Sequence, residues 1–227
     1  MITLTLHHHP LSSFSHKALV ALYEKQAAFD TVIVDYGDAA SRKAFFALWP
    51  LGKIPVLRDE ARDITLPEST VIIEYLEDHV TGGQPLLPKN PDARVQARLW
   101  DRILDNYVHI PMQKIVGDRM RGESEKDARG VADARALLAA TYELLDRHMQ
   151  TRQWAAGEDF SLADCAACPA LFYAGIVAPF DNHPNIAAYF ERLVARPSFA
   201  RVLKEARPYF NLFPFRDDLP ARFRDGA

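Results

Sequence analysis

The chain has 227 residues, 48% hydrophobic and 25% charged, with a formal net charge of -3. That composition is near the globular average and excludes a disordered or collagen-like polymer. Its slight acidity offers no field to a phosphate backbone, so no nucleic-acid partner is expected. No apolar run nears the roughly 20 residues that cross a bilayer. The opening Met1-Ile-Thr-Leu-Thr-Leu-His lacks the charged start and apolar core of a signal peptide. A cytoplasmic protein without membrane contact is therefore expected.

In chain order, Ile2 to His7 alternates like a strand, Pro10-Leu-Ser-Ser breaks it, and Leu19, Leu22 and Tyr23 mark a helix. Phe29 to Val34 predicts a second strand and Ala39 to Leu48 a second helix. Ile54 to Leu57 and Asp63 to Leu66 predict two short strands. From Pro67 through Val80 helical spacing returns with Ile72, Ile73 and Leu76, and a proline suits the first turn of a helix. Thr81-Gly-Gly-Gln-Pro and Pro88-Lys-Asn-Pro91 concentrate turn formers. They divide the chain into a domain at 1–82 and another at 90–227. The second reads as helix throughout: Val95, Leu99 and Ile103, then Val131, Leu138 and Leu145, then Ile186, Tyr189, Phe190 and Leu193. The aromatic tail from Tyr209 to Phe223 is expected to pack on the body.

The order β-α-β-α-β-β-α in about 80 residues is that of a thioredoxin-like domain, so the fold class is an α/β thioredoxin-like domain followed by an all-α helical bundle. The reactive position of such a domain is the turn from first strand to first helix, here Ser12-Ser13-Phe14-Ser15. A helix N-terminus stabilises an anion, including a thiolate. Serines stand where a redox version carries its cysteines, so the turn cannot exchange disulfides, but a hydroxyl can donate to a thiolate supplied by a cofactor. Serines there are ordinarily N-caps, and the turn alone does not separate the two roles.

Three further segments carry a resemblance. Trp49-Pro50-Leu51-Gly52-Lys53-Ile54-Pro55-Val56-Leu57 resembles the Asn-Pro-x-Gly-x-Val-Pro-x-Leu segment of glutathione transferases. Leu66-Pro67-Glu68-Ser69-Thr70-Val71-Ile72-Ile73-Glu74-Tyr75-Leu76 is similar to the family's acidic-Ser-x-x-Ile-x-x-Tyr-Leu segment. Gly157-Glu-Asp-Phe160-Ser161-Leu-Ala-Asp164 matches the Gly-x-x-x-Ser/Thr-x-Ala-Asp segment of its helical domain. The last also reads as a capping box of Ser161 and Asp164.

The chain thus resembles cytosolic glutathione transferases of the serine type. The resemblance implies glutathione as cosubstrate, with Ser12 at the thiol, Lys53 near the glycyl carboxylate, and Ile54 before a cis Pro55 beside the cysteinyl portion. It implies Glu68 and Ser69 on the γ-glutamyl end, a small hydrophobic electrophile in the helical domain, and a homodimer. Phe14 stands where the zeta class has cysteine, and Trp49 replaces the usual Asn. Other glutathione-dependent reactions on the same scaffold (dehalogenation, isomerisation, peroxide reduction) and a non-catalytic interaction module remain open.

Remaining signals carry less. His7-His8-His9 ends a strand in which neighbours face opposite ways, so no metal site is expected. Cys165 and Cys168 fall in a helix of the second domain and read as core. Arg94, Arg98, Arg102 and Asp101 read as a solvated face or a subunit contact. Tyr107, His109 and Met112, with a kink at Pro111, and the tail residues Phe210, Phe213 and Phe215 are candidates for the electrophile wall.

Overall fold

The structure is a computed structural model describing residues 3–226. Ile2 lies outside the described residues. Strand β1 (Leu4–His8) alternates buried and half-buried positions, feeds through Pro10 into α1 (Ser13–Glu24), and runs parallel to β2 (Phe29–Ile33). Helix α2 (Ala39–Leu48) follows, then the antiparallel pair β3 (Val56–Asp59) and β4 (Ile64–Pro67), then α3 (Ser69–His79). The sheet order is β2-β1-β3-β4, so β2 and β4 are its edges.

One sequence expectation is corrected here. Pro67 does not open a helix; it ends β4 opposite Val56, and α3 starts two residues later. A missing N–H is as tolerable on an edge strand as in the first helical turn, and local pattern does not separate the two. Likewise Ile54 lies outside β3, which starts at Val56 after the cis Ile54–Pro55 bond.

The helical domain comprises α4 (Pro91–Leu104), α5 (Ile110–Arg119), α6 (Ala128–Met149), α7 (Leu162–Val177), α8 (Pro184–Ala195) and α9 (Pro197–Ala206). Close to the kink expected at Pro111, a π-helical turn at Asp105–His109 joins α4 to α5. Such a widened turn realigns the helix without exposing its carbonyls. Helix α7 is the central rod, buried along nearly its whole length and starting with the Ser161–Asp164 capping box. Asp164 also accepts from the Ala155 N–H at 2.8 Å, which ties the preceding loop to the helix start.

The two cysteines are free and buried in α7, as core residues. One continuous hydrophobic core runs from Leu6, Leu22 and Ile72 through α7 to the tail, where Phe210, Phe213, Phe215 and Phe223 are all buried. A small separate cluster of Val34, Phe45 and Val56 seats α2, with Trp49 packed against it. Among the described residues no helix is long and apolar enough to cross a membrane, and no His, Cys, Asp or Glu cluster could hold a metal.

Candidate active site

A cleft of about 820 Å³ opens between the sheet-bearing part and the helical domain. Its near wall gathers Ser12, Lys53, Ile54, Pro55, Glu68 and Ser69, residues from three separate stretches of sequence. Each is placed by a local device.

Ser12 is the N-cap of α1: its backbone is extended and its Oγ accepts from the Ser15 N–H at 3.2 Å. The cap reading is therefore correct, and it leaves the hydroxyl proton uncommitted. The turn has already used the Ser15 N–H, so the unpaired N–H groups of the first helical residues face the region where an anion would sit. Ser13 is buried, and its Oγ accepts from the Gln113 side-chain amide at 3.3 Å. Ser15 is fully buried with no hydrogen-bond partner for its Oγ among the described residues. Of the three serines, Ser12 is the half-exposed one.

The loop carrying Lys53 depends on Gly52, whose φ is +63°. A Cβ there would press on the far end of the exposed Phe46 ring, which can move aside, so it is the positive φ that calls for glycine. The Gly52 carbonyl accepts from Tyr36 Oη at 2.8 Å, which pins the loop from β2's side. The following Ile54–Pro55 bond is cis, as the resemblance implies. Trp49, the departure from the family pattern, caps the C-terminus of α2 away from the cleft lining.

Glu68 occupies φ +69°, an uncommon region for a non-glycine residue, immediately before α3. Strain of this kind concentrates where a residue is held for a task. The Glu68 carboxylate and the Lys53 ammonium are exposed and pair with no charge among the described residues, while Ser69 is buried at the helix start. Carboxylate, helix N-terminus and ammonium thus offer sites for an ammonium group and two carboxylates along one wall.

Directly behind this wall lies a dense ion cluster. Lys17 of α1 is fully buried and reaches Asp101 at 2.5 Å, Asp105 at 2.7 Å and Thr70 Oγ1 at 2.8 Å. Arg102 bonds to Thr70, Asp101 and Asp105. His109 stands 3.2 Å from Asp105 and packs its ring on Phe14, centroids 4.6 Å apart. Burial raises the Asp105 carboxyl, but Lys17 and His109 outweigh it and hold the group well below the usual carboxylate range. Burial lowers His109, opposed by Asp105. Asp101 is therefore part of an interdomain lock, a correction to its reading as a solvated face, and Arg102 closes the cluster from an exposed position. Arg98 remains at the surface, paired with Glu74 at 2.7 Å.

The far wall is largely apolar and comes from Met112 and Val116 of α5, Tyr173 of α7, and Leu212 and Phe213 of the tail. Of the expected wall residues, Met112 and Phe213 line it. Tyr107 is exposed elsewhere, His109 is under Phe14, and Phe210 and Phe215 are core. Gln113, Tyr173 and Tyr36 were missed. Gln113 adjoins Met112 on the helix already singled out, which was the available signal; the other two reach the cleft only through the tertiary fold.

The model of the glutathione S-transferase N-terminal domain matches residues 11–79, and that of the C-terminal domain residues 103–197. FtsZ-localized protein A of Caulobacter vibrioides is 31% identical, over 95% of this chain and 97% of its own. A glutathione S-transferase of Silene vulgaris is 26% identical, over 89% and 97%. A glutathione S-transferase of Methylobacillus flagellatus, solved with glutathione bound, is 29% identical, over 88% of this chain and 98% of that one, with a TM-score of 0.79. With both domain models matched in order and the cleft built from the residues that carry the resemblance, this chain belongs to the glutathione S-transferase family.

Proposed function

We propose that the cleft binds glutathione along its near wall and that Ser12 activates the thiol for attack on an electrophile held by the far wall. The γ-glutamyl ammonium pairs with Glu68, its carboxylate meets Ser69 and the start of α3, the cysteinyl backbone follows Ile54 and Pro55, and Lys53 takes the glycyl carboxylate. The Ser12 hydroxyl and the N-terminus of α1 stabilise the thiolate. The thiol proton leaves to solvent, the sulfur forms a bond to the electrophilic carbon, and the leaving group departs with its electron pair. Residues 1–82 supply the glutathione side and 90–227 the electrophile side.

The observation that carries this reading is the convergence in one cleft of a hydroxyl at a helix N-terminus and two opposite charges that have no partner among the described residues. Conjugation of glutathione to 1-chloro-2,4-dinitrobenzene, lowered at neutral pH by Ser12→Ala with glutathione binding retained, is the expected result. A two-fold homodimer is part of the proposal. Val71 on α3 and Val95 and Leu99 on α4 are exposed by 46% or more, next to the Arg98–Glu74 pair that bridges the two helices. Such a patch is typical of an interface. A reducing, cytoplasmic setting suits the two free cysteines.

One observation favours a second reading. The Caulobacter relative bears a name that describes localisation with another protein rather than a reaction. A module that uses the transferase scaffold to bind a protein would show no conjugation with any electrophile in a panel, whatever its affinity for glutathione.

A further inference from the structure

A second concavity, of about 720 Å³, lies between strand β2 and helix α9 with its following 3₁₀ turn (Arg207–Leu212). Strand β2 is a sheet edge: it pairs with β1 alone, and among the described residues no chain covers its outer side. The direction of its backbone groups follows from one bond. The Val34 N–H donates to the His8 carbonyl at 2.8 Å, toward β1. Because N–H and C=O groups alternate sides along a strand, those of Val32 and Asp30 also face β1. The N–H and C=O groups of Thr31 and Ile33 then point away from the sheet, and these two residues line the concavity.

Natural edge strands are usually protected by lysine, proline, a bulge or a covering element. Strand β2, Phe-Asp-Thr-Val-Ile, has no lysine, proline or bulge, and its one charge is Asp30. Val32 and Ile33 are exposed by 43% and 44%. Facing the edge across the groove, α9 presents Arg201 and Glu205 with Tyr209 beyond, and Val202 and Ala206 are buried behind them. The charges on that wall are already matched: Arg201 bonds Glu205 at 2.9 Å and lies 4.0 Å over the Tyr23 ring, whose hydroxyl donates to Glu205 at 2.6 Å. The floor holds His8 and His16, both kept neutral by burial with pKa values pushed down to about 4. The one charge left over is Asp30, exposed and without any partner among the described residues.

We infer that the β2 edge and the groove beside it dock one extended segment of a partner protein, added to the sheet as a fifth strand and carrying a lysine or arginine opposite Asp30. Main-chain bonds to Thr31 and Ile33 supply affinity, alternate side chains pack beside Ile33 and Tyr209, and Asp30 sets the charge. Five residues of β2 span about 17 Å, the length of a short linear motif. A second copy of this chain would have to bring its own α9 wall against this one, whereas a lone strand needs only the edge. The site is separate from the glutathione cleft, so neither claim depends on the other.

The test uses the full chain and a phage-displayed library of random dodecapeptides, with recovered sequences made as free peptides. Recovered peptides are expected to alternate apolar residues around a lysine or arginine and to slow hydrogen exchange at the Thr31 and Ile33 amides. Thr31→Pro removes one outward N–H and no ladder bond; it should weaken binding at least tenfold with the circular-dichroism melting curve unchanged. Asp30→Lys should reverse the charge preference. Ser12→Ala should leave peptide binding as it is, which separates this claim from the thiol chemistry. Recovery of no peptide, equal binding by a folded Thr31→Pro variant, protection elsewhere than β2, or a Thr31→Pro-sensitive self-association that blocks the peptides would overturn the proposal. If Thr31→Pro fails to fold, Ile33→N-methyl-alanine introduced by semisynthesis removes the neighbouring N–H and decides the matter by the same readout.

Discussion

Two groups of charged residues lie back to back at the junction of the sheet and the helices, and they differ in one respect. Lys17, Asp101 and Asp105 are buried, and together with the exposed Arg102 they satisfy one another. Lys53 and Glu68, in front of them, are exposed and pair with no charge among the described residues. The first group holds the two parts of the molecule in register. The second is left free for a ligand with charges at both ends. Charge alone does not mark a binding site; charge that the fold leaves unpaired inside a cleft does.

The comparison breaks most visibly at Lys17. Lys17→Met leaves two carboxylates in the interior with only Arg102 and His109 beside them, and losing one partner of a buried pair costs about 3 to 5 kcal/mol. A urea denaturation series should show that loss, whereas Lys53→Met should leave the midpoint within experimental scatter. Equal effects would erase the distinction between the two groups.

Acid should act on the rear group and its neighbours next. His109, His8 and His16 are neutral in the folded chain because burial lowers their pKa values. Unfolded, each takes up a proton near pH 6.5. Below that pH the unfolded state binds more protons than the folded one, so stability falls as pH drops from about 6.5 toward about 4. Loss of the Asp105 pairing adds to the fall only below the ordinary carboxylate range, since its folded pKa is depressed. A denaturation midpoint that stays flat from about pH 7.5 to 5 would contradict the burial of these imidazoles.

In the front group, Glu68→Gln removes one charge from an exposed contact and should weaken glutathione binding roughly tenfold. The rise in melting temperature with millimolar glutathione measures it. Smallest of all, Cys165 and Cys168 should stay inert to Ellman's reagent in the native state, because burial pushes both thiols well above their ordinary value. Rapid native labelling would mean that α7 opens far more readily than a core helix should.

Much of this was legible in the sequence where the signals are local. The β-α-β-α-β-β-α order and the capping box at Ser161 and Asp164 sit in short segments whose chemistry can be read in place, whereas the cis Pro55 followed from the resemblance alone. Asp101 was misread because helical periodicity sends an aspartate in a polar stretch to solvent, and its counter-ion Lys17 comes from a different helix in the other part of the chain. Pro67 was misread because strand edge and helix start tolerate proline equally. Tyr36 and Tyr173 reach the cleft from β2's loop and from α7 only after the chain is folded, and no local pattern announces either.

The central claim is that Ser12, and not the helix terminus alone, lowers the pKa of the bound thiol. The direct measurement is a pH titration of thiolate ultraviolet absorbance for glutathione bound to the wild type and to Ser12→Ala, Ser13→Ala and Ser15→Ala. A hydrogen bond to a charged acceptor is worth roughly 1.5 to 3 kcal/mol, so Ser12→Ala should raise the bound thiol's pKa by about one to two units while the other two leave it in place. An unmoved pKa in Ser12→Ala, or the same shift produced by Ser13→Ala or Ser15→Ala, would contradict the account.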